Sequence, residues 1–309
     1  MTKTKKAKTE MSAIARKELR KRTVTSYAFV LPYFICFCTF TVVPVLISIF
    51  FSFTSFNILE PPKWLFLDNY IRMFFKDSIF LIALKNTVLI AIVTGPIGYL
   101  LSLLMAWFIN ELTPKVRAFV TLIFYAPTIS GNVYMIWSLL FSGDSYGYIN
   151  STLIRIGVIQ APIQFLKNTA YMMPIVIGVS LWMSLGAGFL SFIAGFQGVD
   201  KSYYEAAAMD GIKNRWQELW FVTLPMMRNQ MMFSAVMSIT SAFGVGGVIT
   251  GLFGFPSTDY AVHTIMNHLE DYGGGRFEMG YASAIATLLF IIMVGTNLVV
   301  RRLVAKVGS

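Results

Sequence analysis

The sequence predicts an all-α integral membrane protein with about six transmembrane helices. Of its 309 residues, 56% are hydrophobic and only 13% are charged, and the mean hydropathy is +0.65. Soluble domains rarely combine so much apolar side chain with so little charge. Six stretches are also long enough to cross a bilayer core, which takes about 20 apolar residues in a helix. We therefore expect lipid to surround most of this chain.

Three parts follow one another along the chain. Residues 1–26 form a basic tail, residues 27–303 a membrane domain, and residues 304–309 a short C-terminal end. The first apolar stretch is too long for the core of a signal peptide and no A-x-A-like site follows it, so we interpret it as an uncleaved span. The six expected spans lie near Ala28–Phe53, Thr87–Ile109, Ala118–Phe141, Ala170–Phe196, Asn229–Leu252 and Met279–Val300.

The distribution of Lys and Arg predicts the orientation. Nine of the 25 basic residues lie in the N-terminal tail. With this tail inside, the cytoplasmic segments hold eighteen basic residues and the outer segments hold seven. Such an excess is typical of cytoplasmic loops, so both termini and the loop between spans four and five are expected in the cytoplasm. A basic tail beside a span reports orientation more often than a nucleic-acid surface, and we expect no nucleic-acid partner.

The loop between spans four and five has the signals of two short helices. Ser202 and Glu205 have the spacing of a capping box, so a helix is expected to begin there. Gly211 is placed to end it, because glycine tolerates the left-handed turn that closes many helices. Asn214 and Gln217 then offer a second N-cap and its partner. Two short helices joined by a glycine turn form a knob that another protein could hold.

Several common chemistries lack their residues. The chain has no G-x-x-x-x-G-K-[ST] sequence, so it should not hydrolyse ATP by itself. His263 and His268 are five residues apart with no cysteine near them, which makes them weak metal ligands and favours ordinary loop residues. Cys36 and Cys38 point to different helix faces and suggest neither a disulfide nor a metal site. We expect no metal and no cofactor bound by this chain, and no enzymatic activity.

Ionisable side chains are missing from the interior of all six expected spans. Such groups are costly in a membrane and usually mark proton relays or ion paths. Their absence argues against a proton-coupled carrier and is compatible with a pore for a neutral solute. The glycine-dense segment Gly244–Pro256 near the outer end of span five predicts close helix packing or a locally broken helix.

One motif resembles a known family. Glu205-Ala206-Ala207, then Gly211, then Val222–Pro225 are similar to the EAA loop of ABC-importer membrane subunits, whose pattern is EAA-x3-G followed by I-x-LP. This chain has one residue more between the glycine and the Leu-Pro than that pattern. The resemblance to binding-protein-dependent sugar permeases of the maltose and glycerol-3-phosphate type covers most of residues 27–302. Its other shared positions are Leu31-Pro32, Pro44, Ser52-Phe53-Thr54, Leu67–Tyr70, Asn86-Thr87 and Ala194–Val199.

The resemblance implies a type I ABC-importer permease fold with a cytoplasmic EAA coupling helix, in a bacterial inner membrane. It implies four kinds of contact: a second, non-identical permease subunit, two ATP-binding subunits, an extracytoplasmic solute-binding protein and the lipid bilayer. ATP would be used by the partner subunits. Glu205 could cap its own helix or touch a partner, and the sequence leaves both open. The coupling residues that it implies, within about 198–225, are Glu205, Ala206, Ala207, Ala208, Asp210, Gly211, Leu224 and Pro225.

The sequence gives only weak indications of the substrate site. Sugars are often held by aromatic faces beside amides and hydroxyls, which suggests candidates on spans three to five. Helix packing or an interfacial aromatic belt explains each of them more simply than sugar contact does. The candidates are Asn132, Tyr134, Trp137, Trp182 and Phe243.

Two alternatives to a sugar importer remain open at this stage. One is an ABC permease for another solute, such as a glycerol phosphoester, an osmolyte or a peptide. The other is a secondary carrier or channel that works alone. Concentrative uptake by the isolated chain would favour the second alternative.

Overall fold

The computed structural model describes residues 2–131 and 133–304, with side chains for residue 15 and for residues 17–304 of that part. Helices dominate, and one small antiparallel sheet pairs β1 (Thr54–Ser55) with β2 (Lys63–Trp64). In chain order the α-helices are α1 (Thr2–Phe37), α2 (Val43–Phe51), α3 (Asp68–Ile71), α4 (Ser78–Asn110), α5 (Pro114–Ile129), α6 (Tyr134–Leu140), α7 (Tyr148–Arg155), α8 (Thr169–Trp182), α9 (Ala187–Gly198), α10 (Lys201–Met209), α11 (Arg215–Glu218), α12 (Leu224–Met226), α13 (Arg228–Phe243), α14 (Gly246–Phe253), α15 (Ile265–Glu270) and α16 (Met279–Val304).

Five helical stretches of the described chain are long and apolar enough to cross a membrane, and a bent pair raises the number to six. This agrees with the expected fold class. Some of the stretches contain more than one helix. A π-helical segment, Cys38–Val42, joins α1 to α2, and short irregular turns join α8 to α9 and α13 to α14. The five stretches are Lys17–Phe51, Ser78–Asn110, Thr169–Gly198, Arg228–Phe253 and Met279–Val304.

The third expected span, Ala118–Phe141, is not one straight helix. α5 ends at Ile129 and α6 starts at Tyr134, and the two axes meet at 87°. Ser130 already has an extended backbone, with ψ of 110°, and Gly131 follows it; glycine is among the poorest helix formers. The residues on both sides of this bend are apolar, so a hydropathy average along the sequence cannot detect it.

The bundle is built around three helices. α4, α9 and α13 pack against one another, and α16 packs against α13 and α2. Their inward faces carry the buried side chains, among them Phe189 and Phe192 of α9. By contrast, the most apolar part of Lys17–Phe51 has no buried residue. Its outer surface is therefore available to lipid or to another subunit.

An Asn-Thr pair on α4 fastens the loop before α15 to the bundle. The Asn86 side-chain amide donates to the backbone carbonyls of Ala261 at 3.1 Å and His263 at 3.0 Å. The Thr87 hydroxyl accepts the Ile265 backbone N–H at 2.9 Å. Both side chains are buried, and buried polar groups are stable only when bonded in this way. This pair was among the positions that carry the family resemblance.

The two histidines are not ordinary loop residues, contrary to the sequence-based interpretation. They are 1% and 2% exposed. His263 Nε2 lies 3.2 Å from His268 Nδ1, and His268 Nε2 lies 3.0 Å from Asp77 Oδ2. Since an ionised carboxylate only accepts, His268 donates through Nε2 and His263 donates to His268. No group of three or more metal-ligating side chains occurs among the described residues.

The protonation states in this cluster follow from burial and charge. Burial, reinforced by the neighbouring His268, lowers the pKa of His263 to about 4. Burial also lowers the pKa of His268, although Asp77 opposes it. Burial disfavours the charged form of Asp77, but hydrogen bonds from the Phe80 amide and the Tyr281 hydroxyl, together with His268, keep the pKa of Asp77 below its usual value. At neutral pH the pair of histidines is therefore uncharged beside a carboxylate.

Both expectations for the glycine-dense segment are confirmed. The helix is interrupted between Phe243 and Gly246, where α13 passes into α14. A Cβ on Gly246 would lie 2.9 Å from the Met266 side chain, and one on Gly251 would lie 2.5 Å from the Tyr134 ring. Only glycine permits such close approach.

Candidate functional site

The helix in the loop between α9 and α13 begins two residues earlier than the capping box predicted. α10 starts at Lys201, and Asp200 is its N-cap, accepting the Ser202 backbone N–H at 2.9 Å. That hydrogen bond lowers the pKa of Asp200. The Ser202–Glu205 capping box is therefore wrong, because Asp200, which is about as good a cap as serine, caps the helix two residues earlier. Glu205 could either cap its own helix or touch a partner. Asp200 is the N-cap of this helix, and the Glu205 side chain is exposed.

The prediction for Gly211 is confirmed in detail. Its φ is +92°, in the left-handed region, and an added Cβ would meet nothing. Its N–H bonds to the Ala208 carbonyl at 3.2 Å, and the Ile212 N–H bonds to the Ala207 carbonyl at 3.0 Å. These two bonds are the Schellman motif that ends helices at a glycine. The turn fixes the direction in which the chain leaves α10.

One face of α10 is open and the other is packed. Ala207 is buried at 7% exposure, whereas its neighbours Ala206 and Ala208 are exposed. Met209 is 89% exposed, which is unusual for a large apolar side chain and was not among the sequence-predicted residues. Asp210 is also exposed and lies at the end of this open face. The exposed surface of α10 thus combines small side chains with two large ones, Met209 and Tyr203, the latter 49% exposed.

The segment after α10 is tied back onto it. Asn214 caps α11 as predicted, accepting the Gln217 N–H at 2.8 Å, and Gln217 in return accepts the Lys213 N–H at 3.0 Å. The Tyr204 hydroxyl lies 3.0 Å from the Thr223 hydroxyl. Since Thr223 donates to a backbone carbonyl, Tyr204 is the donor in this pair. α10 and the following turn are therefore cross-linked by side chains.

Leu224 and Pro225 connect this segment to the bundle. Leu224 is 3% exposed and belongs to the inner hydrophobic cluster with Phe189 and Phe192. Pro225 is the second residue of α12 and follows a π-helical turn, Leu219–Thr223. Proline lacks an N–H and cannot continue a regular helical hydrogen-bond pattern. The helix is interrupted at Met227, two residues after Pro225, and α13 begins at Arg228.

An open cavity of about 580 Å³ lies behind α10. Its walls come from the inner ends of α4 and α9, from α10, and from the segment that follows α10. Three carboxylates and three cations line it beside apolar side chains such as Phe196 and Leu219. Hydrogen bonding to Glu218, with the nearby charge of Glu111, raises the pKa of Arg215. The charged lining residues are Glu111, Arg117, Lys201, Glu205, Arg215 and Glu218.

A second cavity, of about 320 Å³, lies within the bundle. α4, α5, α8, α13 and the turn between α8 and α9 all contribute to it, and none of its described lining residues is ionisable. Hydroxyl groups are its only polar side chains. They belong to Thr94, Thr128, Ser180, Ser184, Ser238 and Ser241.

Some of these hydroxyls are satisfied by the protein and one is not. Thr94 donates to the Ile90 carbonyl at 2.8 Å and Ser184 to the Leu181 carbonyl at 2.6 Å. The buried Ser180 hydroxyl has no partner in the protein. A buried hydroxyl without a partner costs free energy, so a site at Ser180 offers a hydrogen bond to a bound molecule.

The aromatic candidates from the sequence lie outside this cavity. Trp137 and Trp182 meet edge to face with ring centroids 5.3 Å apart, and Tyr134 packs near Gly251. Phe243 is buried in the hydrophobic cluster between α4, α13 and α16. Asn132 lies outside the described residues. The described aromatics form packing contacts, and whether any of them touches substrate stays a prediction.

Sequence reasoning missed the hydroxyls of the cavity, although a signal exists. Ser180 and Ser184 are four residues apart, and Ser238 and Ser241 are three apart. Such spacings put two hydroxyls on one helix face. Pairs of hydroxyls at helical spacing, inside otherwise apolar spans, would have pointed to a shared polar surface.

Comparison with known proteins identifies similar chains of one kind. No family model matches the chain. It is 32% identical over 291 residues to the probable ABC transporter permease protein YesP of Bacillus subtilis strain 168, covering 90% of this chain and 89% of YesP. It is 30% identical to the lactose transport system permease protein LacF of Rhizobium radiobacter, covering 79% and 80%. It is 26% identical to the sn-glycerol-3-phosphate transport system permease protein UgpA of Agrobacterium fabrum, covering 75% and 78%.

Solved structures show the same likeness. A chain of a bacterial ABC transporter that imports the acidic polysaccharide alginate superimposes with a TM-score of 0.71 at 26% identity, covering 93% of this chain and 99% of that one. The same score and identity hold for a chain of the alginate transporter in complex with its alginate pentasaccharide-bound periplasmic protein. The similarity therefore extends over nearly the whole membrane domain.

Proposed function

The chain belongs to the ABC transporter permease family, and from this premise we propose that it forms one half of the membrane pathway of an importer for a sugar or oligosaccharide. An extracytoplasmic binding protein delivers the sugar, a second permease subunit completes the pathway, and two ATP-binding subunits drive it. Relatives named for lactose and arabinooligosaccharide transport support the substrate class. The single observation that carries the proposal is the uncharged, hydroxyl-lined cavity within the bundle.

The lining of that cavity suits a neutral sugar. Hydroxyl side chains both donate and accept hydrogen bonds, as sugar hydroxyls do, and the unpartnered Ser180 hydroxyl is available to one of them. A phosphoester would need a cation or a helix N-terminus beside it. The described lining residues include no cation, although the N-terminal residues of α9 and the N-cap of α14, Val245, also line the cavity. The preference for a neutral sugar over a glycerol phosphoester therefore rests on the lack of charged side chains alone.

The open face of α10 is the proposed seat of an ATP-binding subunit. Small side chains at Ala206 and Ala208 allow a partner groove to approach the helix backbone, as in other helix-in-groove contacts. Met209 adds a large apolar anchor, and Glu205 and Asp210 flank it. The residues that hold this face in place are Ala207, Gly211, Leu224 and Pro225.

In the proposed orientation α10 and both termini face the cytoplasm, where ATP is available. The support is the excess of basic residues, eighteen against seven, in the segments on that side. The chain forms part of the membrane pathway and transmits movement to it. It does not hydrolyse ATP itself, since it has no P-loop sequence of its own. ATP is bound and hydrolysed by its partners.

Reconstitution tests the proposal. The chain, its partner permease and the ATP-binding subunits are placed in vesicles, with the binding protein and labelled oligosaccharides on the outer side. We expect uptake only when ATP and every subunit are present. Concentrative uptake by the chain alone would instead identify a stand-alone carrier. Uptake of sn-glycerol-3-phosphate in place of sugars would overturn the substrate class.

A further inference from the structure

Two side-chain contacts join the inner end of α4 to the start of α11. The Arg215 guanidinium bonds to the Glu111 carboxylate at 3.2 Å, across 104 residues of sequence. The Trp216 ring meets the Trp107 ring with centroids 4.6 Å apart. Arg215 also bonds to Glu218 at 2.8 Å within α11, which holds its guanidinium in place. Neither the EAA pattern nor the apolar spans indicate this connection.

α11 moves with α10 because the connection between them is short and braced. Only five residues, 210–214, separate the two helices. The Schellman turn at Gly211 and the hydrogen bonds of Asn214 hold this connection. The bond from Tyr204 to Thr223 adds a second brace beyond α11. A displacement of α10 therefore reaches Trp216 with little loss.

α4 leads from this contact to the central cavity. Thr94 and Gly98 of α4 line the cavity, and Gly98 packs directly on Ser184, since an added Cβ would lie 2.9 Å from its side chain. Nine residues separate Gly98 from Trp107, which is about 14 Å along a helix. No glycine or proline interrupts the helix between them. This part of α4 is one continuous helical segment, with the cavity wall at one end and the contact with α11 at the other.

We propose that Arg215 and Trp216 are positioning residues that form a second mechanical attachment, through which movement of α10 reaches α4 and the cavity wall. The proposal rests on the proposed function, since it requires an ATP-binding subunit that moves α10. Both contacts are partly exposed, with 65% of the Arg215 and 48% of the Glu111 side chain accessible. Such ion pairs add little to folding stability, so their loss changes how motion is transmitted and leaves the fold intact.

Charge reversal with rescue tests this attachment in the complete complex. The readout is the amount of sugar imported per ATP hydrolysed, measured in vesicles with the binding protein present. Glu111→Lys is expected to lower this ratio at least threefold, while the ATP-binding subunits stay bound and ATP hydrolysis continues. Adding Arg215→Glu to it restores the opposite charges and should recover at least half of the ratio. The rescue shows that the pair itself is needed. A merely structural role would lower subunit binding and ATP hydrolysis as well, whereas loss of the attachment lowers only the ratio.

Lys213→Glu is the matched control, because it reverses a charge two residues from Arg215 without touching α4. It should leave the ratio unchanged. A wild-type ratio in Glu111→Lys, or no recovery in the double variant, would overturn the attachment. The proposed function has a separate failure, namely no ATP-dependent uptake by the wild-type complex.

Discussion

Truncating Met209 should weaken the hold of the ATP-binding subunits on the permease. The side chain is 89% exposed in the isolated chain, so nearly all of its apolar surface is available for burial by a partner. Burying a methionine side chain contributes about 1.5–3 kcal/mol. Met209→Ala should therefore cost about 2 kcal/mol, which corresponds to an affinity about 30-fold lower.

The measurement is a titration of ATP-binding subunits onto the immobilised permease pair in detergent, without nucleotide. Met135→Ala is the matched control, since Met135 of α6 is also exposed, at 59%, and lies far from α10 in the chain. It should bind as the wild type does. Equal affinities of Met209→Ala and wild type would refute the reasoning, because the open face of α10 would then not be the binding site of the ATP-binding subunits.

Three further changes probe the turn, the cavity and the buried histidines. Gly211→Val forces a β-branched residue to a φ of +92°, a strain of about 1–2 kcal/mol. It should lower the stimulation of ATPase activity by the binding protein, whereas the control Gly178→Val, at an open site in α8, should not. Equal stimulation in both variants would show that the turn has no role. Ser180→Leu fills the central cavity and should abolish uptake while the ATP-binding subunits still bind. The control Ser138→Leu, outside the cavity, should transport normally. Uptake by Ser180→Leu would show that the pathway does not pass through this cavity. Since the pKa of His263 is lowered from 6.5 to about 4, the unfolded chain binds more protons between these values, and thermal stability should fall as pH falls through this window, by at most about 3 kcal/mol. That acid sensitivity should shrink in His263→Phe, and an unchanged pH profile in this variant would show that the histidine is not its source.

Local signals in the sequence predicted the ends of the inner helices with partial success. Gly211 ends α10 as expected, because the left-handed turn depends on a single residue without a Cβ. The start of the same helix was misplaced, since both Asp200 and Ser202 are acceptable caps and the choice between them depends on how the chain leaves α9. The bend between α5 and α6 was missed because hydropathy averages over the residues that make it.

The sequence by itself indicated that lipid surrounds most of the chain and that a small helical knob with an EAA pattern interrupts the spans; the inward orientation that it predicts stays a prediction. These properties depend on composition and on spacings of a few residues, which no packing arrangement alters. Only the tertiary structure decided that hydroxyls from four helices share one cavity, that His263 and His268 are buried beside Asp77, and that Arg215 reaches Glu111. Those contacts join residues up to 191 positions apart, and such pairs meet only through the way whole helices pack.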